Sequence, residues 1–304
     1  MKESEIIQSF FAKNQTPLDD CHLIPPNTLV TTDSLVEGTH FLHNWSNPTQ
    51  LAQKLIEVNV SDIAASGGIP NICFLNLGLS DVSKQKSWVS EFSKAFKKRI
   101  QKYHIRLVGG DTFYSQTTHL TLTLFGKTKK AWFRDGGNDG DTLYLTGTIG
   151  NSELGLQSLK QNWPDSKFKL AQKKHLTPDS RLSIVPALSR FQIHACMDLT
   201  DGLIQDAKKL AKASCGHLEI DLNSLPVSKI ALQMLGWDGI LSSGEELELL
   251  ILSKSHLPKK IKNLSITPIG KFIKSNTKKK SEFSVTFLLD GQKYRPSSEG
   301  FVHF

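Results

Sequence analysis

The run Leu29-Val30-Thr31-Thr32-Asp33 is apolar and β-branched until it ends on a carboxylate. Such a run predicts a strand. A strand that ends in an acid puts charge at the sheet edge, where open α/β sheets take their ligands. The pattern recurs twice. Arg106 to Val108 runs into Gly109, Gly110 and Asp111, and Asp198 shares a strand face with Thr200 just before Asp201 and GLIQDAKKL, which reads as a helix. Helical and strand patterns lie between. Thr49 to Ser66 carries Leu51, Leu55, Ile56, Asn59 and Ile63 at helical spacing and is stopped by Gly67, Gly68 and Pro70. Ser87 to Tyr103 is an amphipathic helix pattern, and Lys2 to Lys13 a shorter one. Ile72 to Leu79 and Thr142 to Thr146 read as strands, and Thr118 to Lys127 alternates as a half-exposed strand does. The fold class is mixed α/β (α+β).

A chain of 304 residues predicts two domains rather than one. The segment from Asp135 to Asp141 is rich in Gly, Asn and Asp, and marks the boundary between residues 1–137 and 138–304. No apolar run approaches the ~18 residues of a membrane span, and MKESEIIQSFF lacks a signal-peptide core. The expected location is the cytoplasm. Cys21, Cys73, Cys196 and Cys215 form no CxxC pair, which argues against zinc and for a reducing compartment. The net charge of +8 has two readings, a nucleic-acid partner or solvated lysines. The second is favoured, because Lys127–Lys130 and Lys271–Lys280 do not alternate with aromatics as a stacking platform does.

The acids carry the chemistry. Asp19 and Asp20 sit in a loop after Pro17. Asp33 closes its strand, Asp62 shares a helix face with Asn59, and Asp111, Asp198 and Asp201 stand at strand ends or a helix start. Magnesium takes a few carboxylates together with phosphate oxygens, and a nucleotide triphosphate cannot approach an anionic acceptor without such a cation. Each acid also has a plain reading: Asp201 as a helix N-cap, Asp62 as a solvated helix charge, Asp19 and Asp20 as turn residues. Gly126-Lys127-Thr128 is not a P-loop, because position 121, where the upstream glycine belongs, is Thr121. Kinase HRD and DFG signatures, HExxH and GxSxG are absent. The turn from Gly147 to Ser152 opens a helix pattern and offers backbone N–H groups to a phosphate.

Six segments then resemble, in order, the motifs of the thiamine-monophosphate kinase family. They are TDSLVEGTHF from Thr32, NVSDIAASGG from Asn59, GGDT from Gly109, MDLTDGL from Met197, SGEELEL from Ser243, and the closing GFVHF from Gly300. The resemblance implies a PurM-like architecture: an N-terminal sheet domain that pairs in a homodimer and a C-terminal α/β domain. It implies transfer of phosphate from ATP to thiamine monophosphate with several Mg²⁺ ions, by in-line displacement. The implied metal ligands are Asp20, Thr31, Thr32, Asp33, Asp62, Asp111, Asp198 and Asp201. ATP contacts would be Tyr103, Gly110, Asp111, Arg134 and Thr200, and Asp33, Asp62, Asp111 and Arg134 would act in catalysis. His40, Glu245 and Phe301 would face the thiamine phosphate, although His40 also reads as a core histidine and Phe301 as C-terminal packing.

The chain departs from the family pattern at Leu18, where a glycine is usual, at Glu246 for Asp, and at Leu247 for an aromatic. The last two lie on the acceptor side. They leave open a different PurM-like ATP-user, of the aminoimidazole-ribotide or selenophosphate synthetase type, or a non-catalytic nucleotide binder. The acceptor itself is a phosphate, largely dianionic at neutral pH, so it requires no general base. No nucleic-acid or membrane partner is expected.

Overall fold

The computed structural model describes residues 3–10, 19–275 and 283–297. After a short helix, α1 (Glu3–Phe10), the first half builds a sheet from β1 (His22–Ile24), β2 (Thr28–Val36), β3 (Ile69–Leu79), β4 (Arg106–Tyr114) and β5 (His119–Lys127), in the order β1-β2-β5-β3-β4. Only β3 and β4 run parallel within it. Alternation decides its two faces. Leu120, Leu122 and Leu124 of β5 are fully buried on the inner face, with Leu29 and Leu35 of β2. Thr121 and Thr123 point outward, where they meet the hydroxyls of Ser34 (2.7 Å) and Thr32 (3.1 Å).

Two helices cover the inner face: α2 (Pro48–Ala65) and α3 (Lys86–Lys102). The start of α2 is fixed by a capping box, Asn47 with Gln50, and by Pro48 at the first helical position. Its end is fixed by Gly67, whose φ of +70° continues no helix. From Leu51 onward nearly every residue of α2 is buried, including Lys54, Glu57, Asn59, Ser61 and Asp62. A helix buried on all sides is packed between layers, and α2 does touch both sheets.

The second half forms a larger sheet, in the order β13-β12-β8-β11-β6-β9-β7. Its strands are β6 (Thr142–Thr146), β7 (Ile193–Asp198), β8 (Gly216–Asp221), β9 (Leu249–Ser253), β10 (Lys260–Ile261, paired to β11), β11 (Leu264–Lys274), β12 (Ser284–Leu289) and β13 (Gln292–Tyr294). Its helices are α4 (Asn151–Lys160), α5 (Asp165–Leu176), α6 (Val185–Leu188), α7 (Leu203–Ala213) and α8 (Lys229–Leu241). Strand β9, flanked by β6 and β7, is buried over its whole length. Leu249 and Ile251 join the core around α2, while Leu250 and Leu252 join a second core with α4, α7 and α8. This sheet is therefore shared between two cores, and α2 is held against it from one side.

The predicted elements lie close to those observed. Strand 29–33 extends to Thr28–Val36, and the strand begun at Arg106 continues through Gly109, Gly110 and Asp111 to Tyr114. The predicted helix from Lys2 to Lys13 is described over Glu3–Phe10. Leu18 and Phe301 lie outside the described residues.

Leu122→Ala empties a site with no exposed surface under α2. We expect a loss of about 2–5 kcal/mol in urea unfolding, because a packed sheet–helix interface closes a cavity only in part.

Candidate active site

At residues 31–36 the strand β2 has run past its short neighbour β1, so its free edge faces a cleft of about 590 Å³ between the two halves. Three carboxylates converge at one end. Asp20 comes from the loop before β1, Asp62 from α2 and Asp198 from the end of β7, with ligand oxygens within 4.8 Å of one another. Neighbouring hydroxyls hold them. Thr31 Oγ1 donates to Asp62 Oδ2 at 2.5 Å, and Ser61 Oγ donates to Asp198 Oδ2 at 2.5 Å. Arg134 pairs with Asp20 through its guanidinium and donates its backbone N–H to Asp19 at 2.6 Å. Asp33 lines the same end and is fixed through its backbone N–H, which donates to Asn59 Oδ1 at 3.1 Å.

Crowding sets the electrostatics. Burial pushes the carboxyls of Asp62 and Asp198 well above the usual range, and neighbouring acids push the same way: Asp33 and Asp198 on Asp62, Asp20 on Asp198. Asp33 is pushed up to about 6 by burial, then by Asp20, Asp201 and Glu245. Burial disfavours the charge on Arg134, but Asp20 and Asp198 outweigh it and push its pKa up. Arg134, with Lys209 paired to Asp201 and Asp206, leaves a surplus of hard oxygen donors among so many carboxylates. That donor set suits Mg²⁺, which is bound by a few carboxylates and keeps waters or phosphate oxygens.

The other end of the cleft is built differently. Glu245 and Leu247 sit in a loop with positive φ, +53° and +51°. Glu245 Oε2 lies 2.7 Å from Lys54 Nζ and 3.4 Å from His175 Nδ1. Burial opposes its charge, yet Lys54 above all outweighs that and holds the carboxyl below its usual range. His40 lines the cleft and accepts the Val36 N–H on Nδ1 at 3.0 Å, which leaves the proton on Nε2 when the ring is neutral.

Known proteins resemble the chain over nearly its whole length. The chain fits the models of the AIR synthase related protein N-terminal domain over residues 18–128 and C-terminal domain over residues 138–275. A thiamine-monophosphate kinase of Leptospira interrogans is 46% identical over 294 residues, covering 93% of this chain and 96% of that one. The chain belongs to the thiamine-monophosphate kinase family. The crystal structure of the Aquifex aeolicus thiamine monophosphate kinase superposes with a TM-score of 0.83 at 29% identity, covering 97% of each chain. A complex of AaThiL with AMPPCP and TMP gives 0.85 at 29% identity, over 100% of this chain and 97% of that one. The fold is PurM-like, as the motifs implied.

Measured against that family, the structure gathers most of the sequence-derived residues into the cleft: Asp20, Thr31, Thr32, Asp33, His40, Asp62, Arg134, Asp198, Thr200, Asp201 and Glu245 line it. Within it, Thr32 turns its hydroxyl away from the acids to Thr123. Tyr103, Gly110 and Asp111 do not line the cleft. Tyr103 donates its hydroxyl to buried Glu57 at 2.6 Å, a carboxylate that also takes Arg99 Nε at 2.6 Å and the Ser180 N–H. Gly110 and Asp111 lie on the exposed edge strand β4, where Asp111 N–H donates to Asn76 at 2.8 Å. The phosphate role read for the Gly147–Ser152 turn needs correction. Glu246 Oε1 already accepts the N–H groups of Gly150 (2.6 Å) and Ser152 (3.1 Å), so the longer acid at this position caps α4. Asp201 is not an N-cap either. Gly202 holds that position, and Asp206 Oδ2 accepts the N–H groups of Thr200 and Asp201 at 2.9 Å each.

The sequence reading missed Lys54, Ser61, His175 and Asp206. Asp206 had a readable signal, an acid in the first turn of a helix. The others depend on elements far apart in the chain. His175 is buried, and burial, with Lys54 adding to it, takes its pKa down to about 3. The folded pKa lies below the unfolded one, so this histidine stabilises the fold above about pH 6.5 and loses that contribution as pH falls toward 3. His175→Gln is expected to lose about 2 kcal/mol less than the parent between pH 6.5 and 4.5 in urea titrations. Nitrogen shifts of the His175 ring should stay those of a neutral imidazole across that range.

Proposed function

We propose that the chain transfers the γ-phosphate of ATP to thiamine monophosphate, giving ADP and thiamine diphosphate. The observation that carries this is the single cleft with two unlike ends: a crowded carboxylate cluster with Arg134 at one, and Glu245 with His40 at the other. Family membership and the likeness to AaThiL complexed with AMPPCP and TMP support the same reading.

Asp20, Asp62 and Asp198, assisted by Asp33, Asp201 and Thr31, would hold Mg²⁺. Bound there, the ion neutralises phosphate oxygens and screens the two anionic substrates from each other. The chain's own residues do the rest. Thr31 and Ser61 fix the acids in place, and Arg134 offers positive charge beside the transferring group. An oxygen of the acceptor phosphate attacks the γ-phosphorus while the bond to the β,γ-bridging oxygen breaks, and ADP leaves. The dianionic acceptor surrenders no proton, so no base is needed. Residues 1–137 would supply most of the metal-holding edge, and residues 138–304 would close the cleft.

We further propose a homodimer through the outer face of the first sheet. Phe74 and Phe113 are exposed there, each at least 40% accessible. An apolar sheet face of this kind marks an interface. By alternation Asp111 shares that face with Phe113, so a second copy would bring Gly110 and Asp111 toward its partner's nucleotide. The reaction is placed in the cytoplasm, where ATP and free thiols such as these four cysteines coexist. Among the described residues no helix is long and apolar enough to cross a membrane. A selenophosphate synthetase reading would recruit Cys21, but that thiol is buried and pushed far up by burial and by Asp62, which suits packing.

With ATP, Mg²⁺ and thiamine monophosphate, the purified protein is expected to form thiamine diphosphate, read by product mass; ATP binding without product would refute the assignment. Asp62→Asn should lower turnover by about 10³-fold or more while raising Tm, since it removes one charge from a crowded buried cluster. Phe113→Asp should give a monomer in sedimentation; an unchanged sedimentation coefficient would move the interface elsewhere.

A further inference from the structure

Lys54 is a buried lysine with no place in the chemistry described above. Its side chain is 3% exposed, and it does not line the cleft. Lysine is rarely buried unless paired, because desolvating an ammonium is costly. Its partners explain it. Nζ lies 2.7 Å from Glu245 Oε2 and 3.4 Å from the carbonyl oxygen of His40. Both partners belong to residues at the acceptor end of the cleft, and Lys54 stands behind them.

The helix that carries Lys54 adds a second observation. Asp62, in the carboxylate cluster, follows eight residues later on α2, a rise of about 12 Å. The cluster and the Glu245 contact are therefore attached to one rigid rod. That rod is buried along this stretch and fixed to β2 by Thr31 and to β7 by Ser61. Glu245 itself sits in a loop at a φ of +53°, a conformation its own backbone does not favour. Something outside the loop has to hold it.

We propose that Lys54 is a positioning residue for the acceptor: it anchors one oxygen of Glu245 and keeps that carboxylate aimed at the cationic ring of the phosphorylated substrate, at a distance from the metal end set by α2. This rests on the acceptor reading above. His175 supports the same carboxylate from α5, and it does so as a neutral ring. Lys54 is then the charge that keeps Glu245 ionised when the cleft closes around substrate and loses water.

The test is a double-mutant cycle on the full chain with ATP, Mg²⁺ and thiamine monophosphate, using Lys54→Met, Glu245→Gln and both together. Turnover by the parent protein settles the acceptor first, so failure of that reading is seen separately. Lys54→Met should raise the acceptor KM by about tenfold or more, with the ATP KM within about twofold of the parent. In the Glu245→Gln background the same change should leave the acceptor KM unaltered, because Lys54 acts through Glu245. A lowered Tm with an unchanged acceptor KM would make the pair a mere latch between the two halves and overturn the proposal. So would an equal effect of Lys54→Met in both backgrounds. If Lys54→Met alone fails to fold, the double variant, which leaves no buried charge unpaired, is compared with Glu245→Gln, in which Lys54 keeps the His40 carbonyl; an acceptor KM differing more than about threefold between them refutes the role.

Discussion

Two adjacent residues of α2 tie the molecule together. Ser61 donates to Asp198 at the end of β7, and Asp62 accepts from Thr31 on β2. One helix thus hydrogen-bonds to an acid or hydroxyl on each sheet, and the same contacts hold the carboxylates that face the cleft. Buried acids so close together repel, and burial alone penalises each of them. The fold tolerates this because the large apolar surface of the two cores outweighs a local penalty. A locally destabilised cluster of this kind is a common trade of stability for function.

The polar residues of α2 follow from the same constraint. Lys54, Glu57, Asn59, Ser61 and Asp62 would destabilise a helix buried in an apolar layer. Each has a partner outside the helix, namely Glu245, Arg99 with Tyr103, Asp33, Asp198 and Thr31 in turn, and Asn59 also donates to the Leu55 carbonyl within it. The helix is therefore both the central packing element and the frame that sets the spacing between the two ends of the cleft. The acceptor-side departures fit into this frame. Glu246 reaches the N-terminus of α4, and Glu248 is held by Thr146, Lys174 and Arg181, so only Glu245 of the three acids points at the cleft.

Much of the fold was legible in the chain itself. Period-two alternation in Leu120 to Phe125, the helical spacing of α2 and the glycines after it are local signals, and local signals survive without knowledge of the partner elements. Asp33, Asp62 and Asp198 were legible too, because each stands in a strand or on a helix face inside a recognisable segment. The Tyr103 hydroxyl and the Gly147–Ser152 turn show where a local reading stops: a local motif shows which groups are available but not which buried acid has already taken them. Glu57 and Glu246 are those acids, each brought from a distant part of the sequence.

By itself, then, the sequence determined the elements, the mixed α/β class, the family and the oxygen-donor chemistry of Asp20, Asp33, Asp62, Asp198 and Asp201. Tertiary structure alone decided which donors meet. It brought Asp20, Asp62 and Asp198 within 4.8 Å, set Asp111 on an outer strand away from them, and placed Lys54 behind Glu245, 191 positions away. The physical reason is that hydrogen bonds and ion pairs act over a few ångströms. Residues far apart in the chain gain such contacts only after the apolar faces of two sheets have closed on a shared helix.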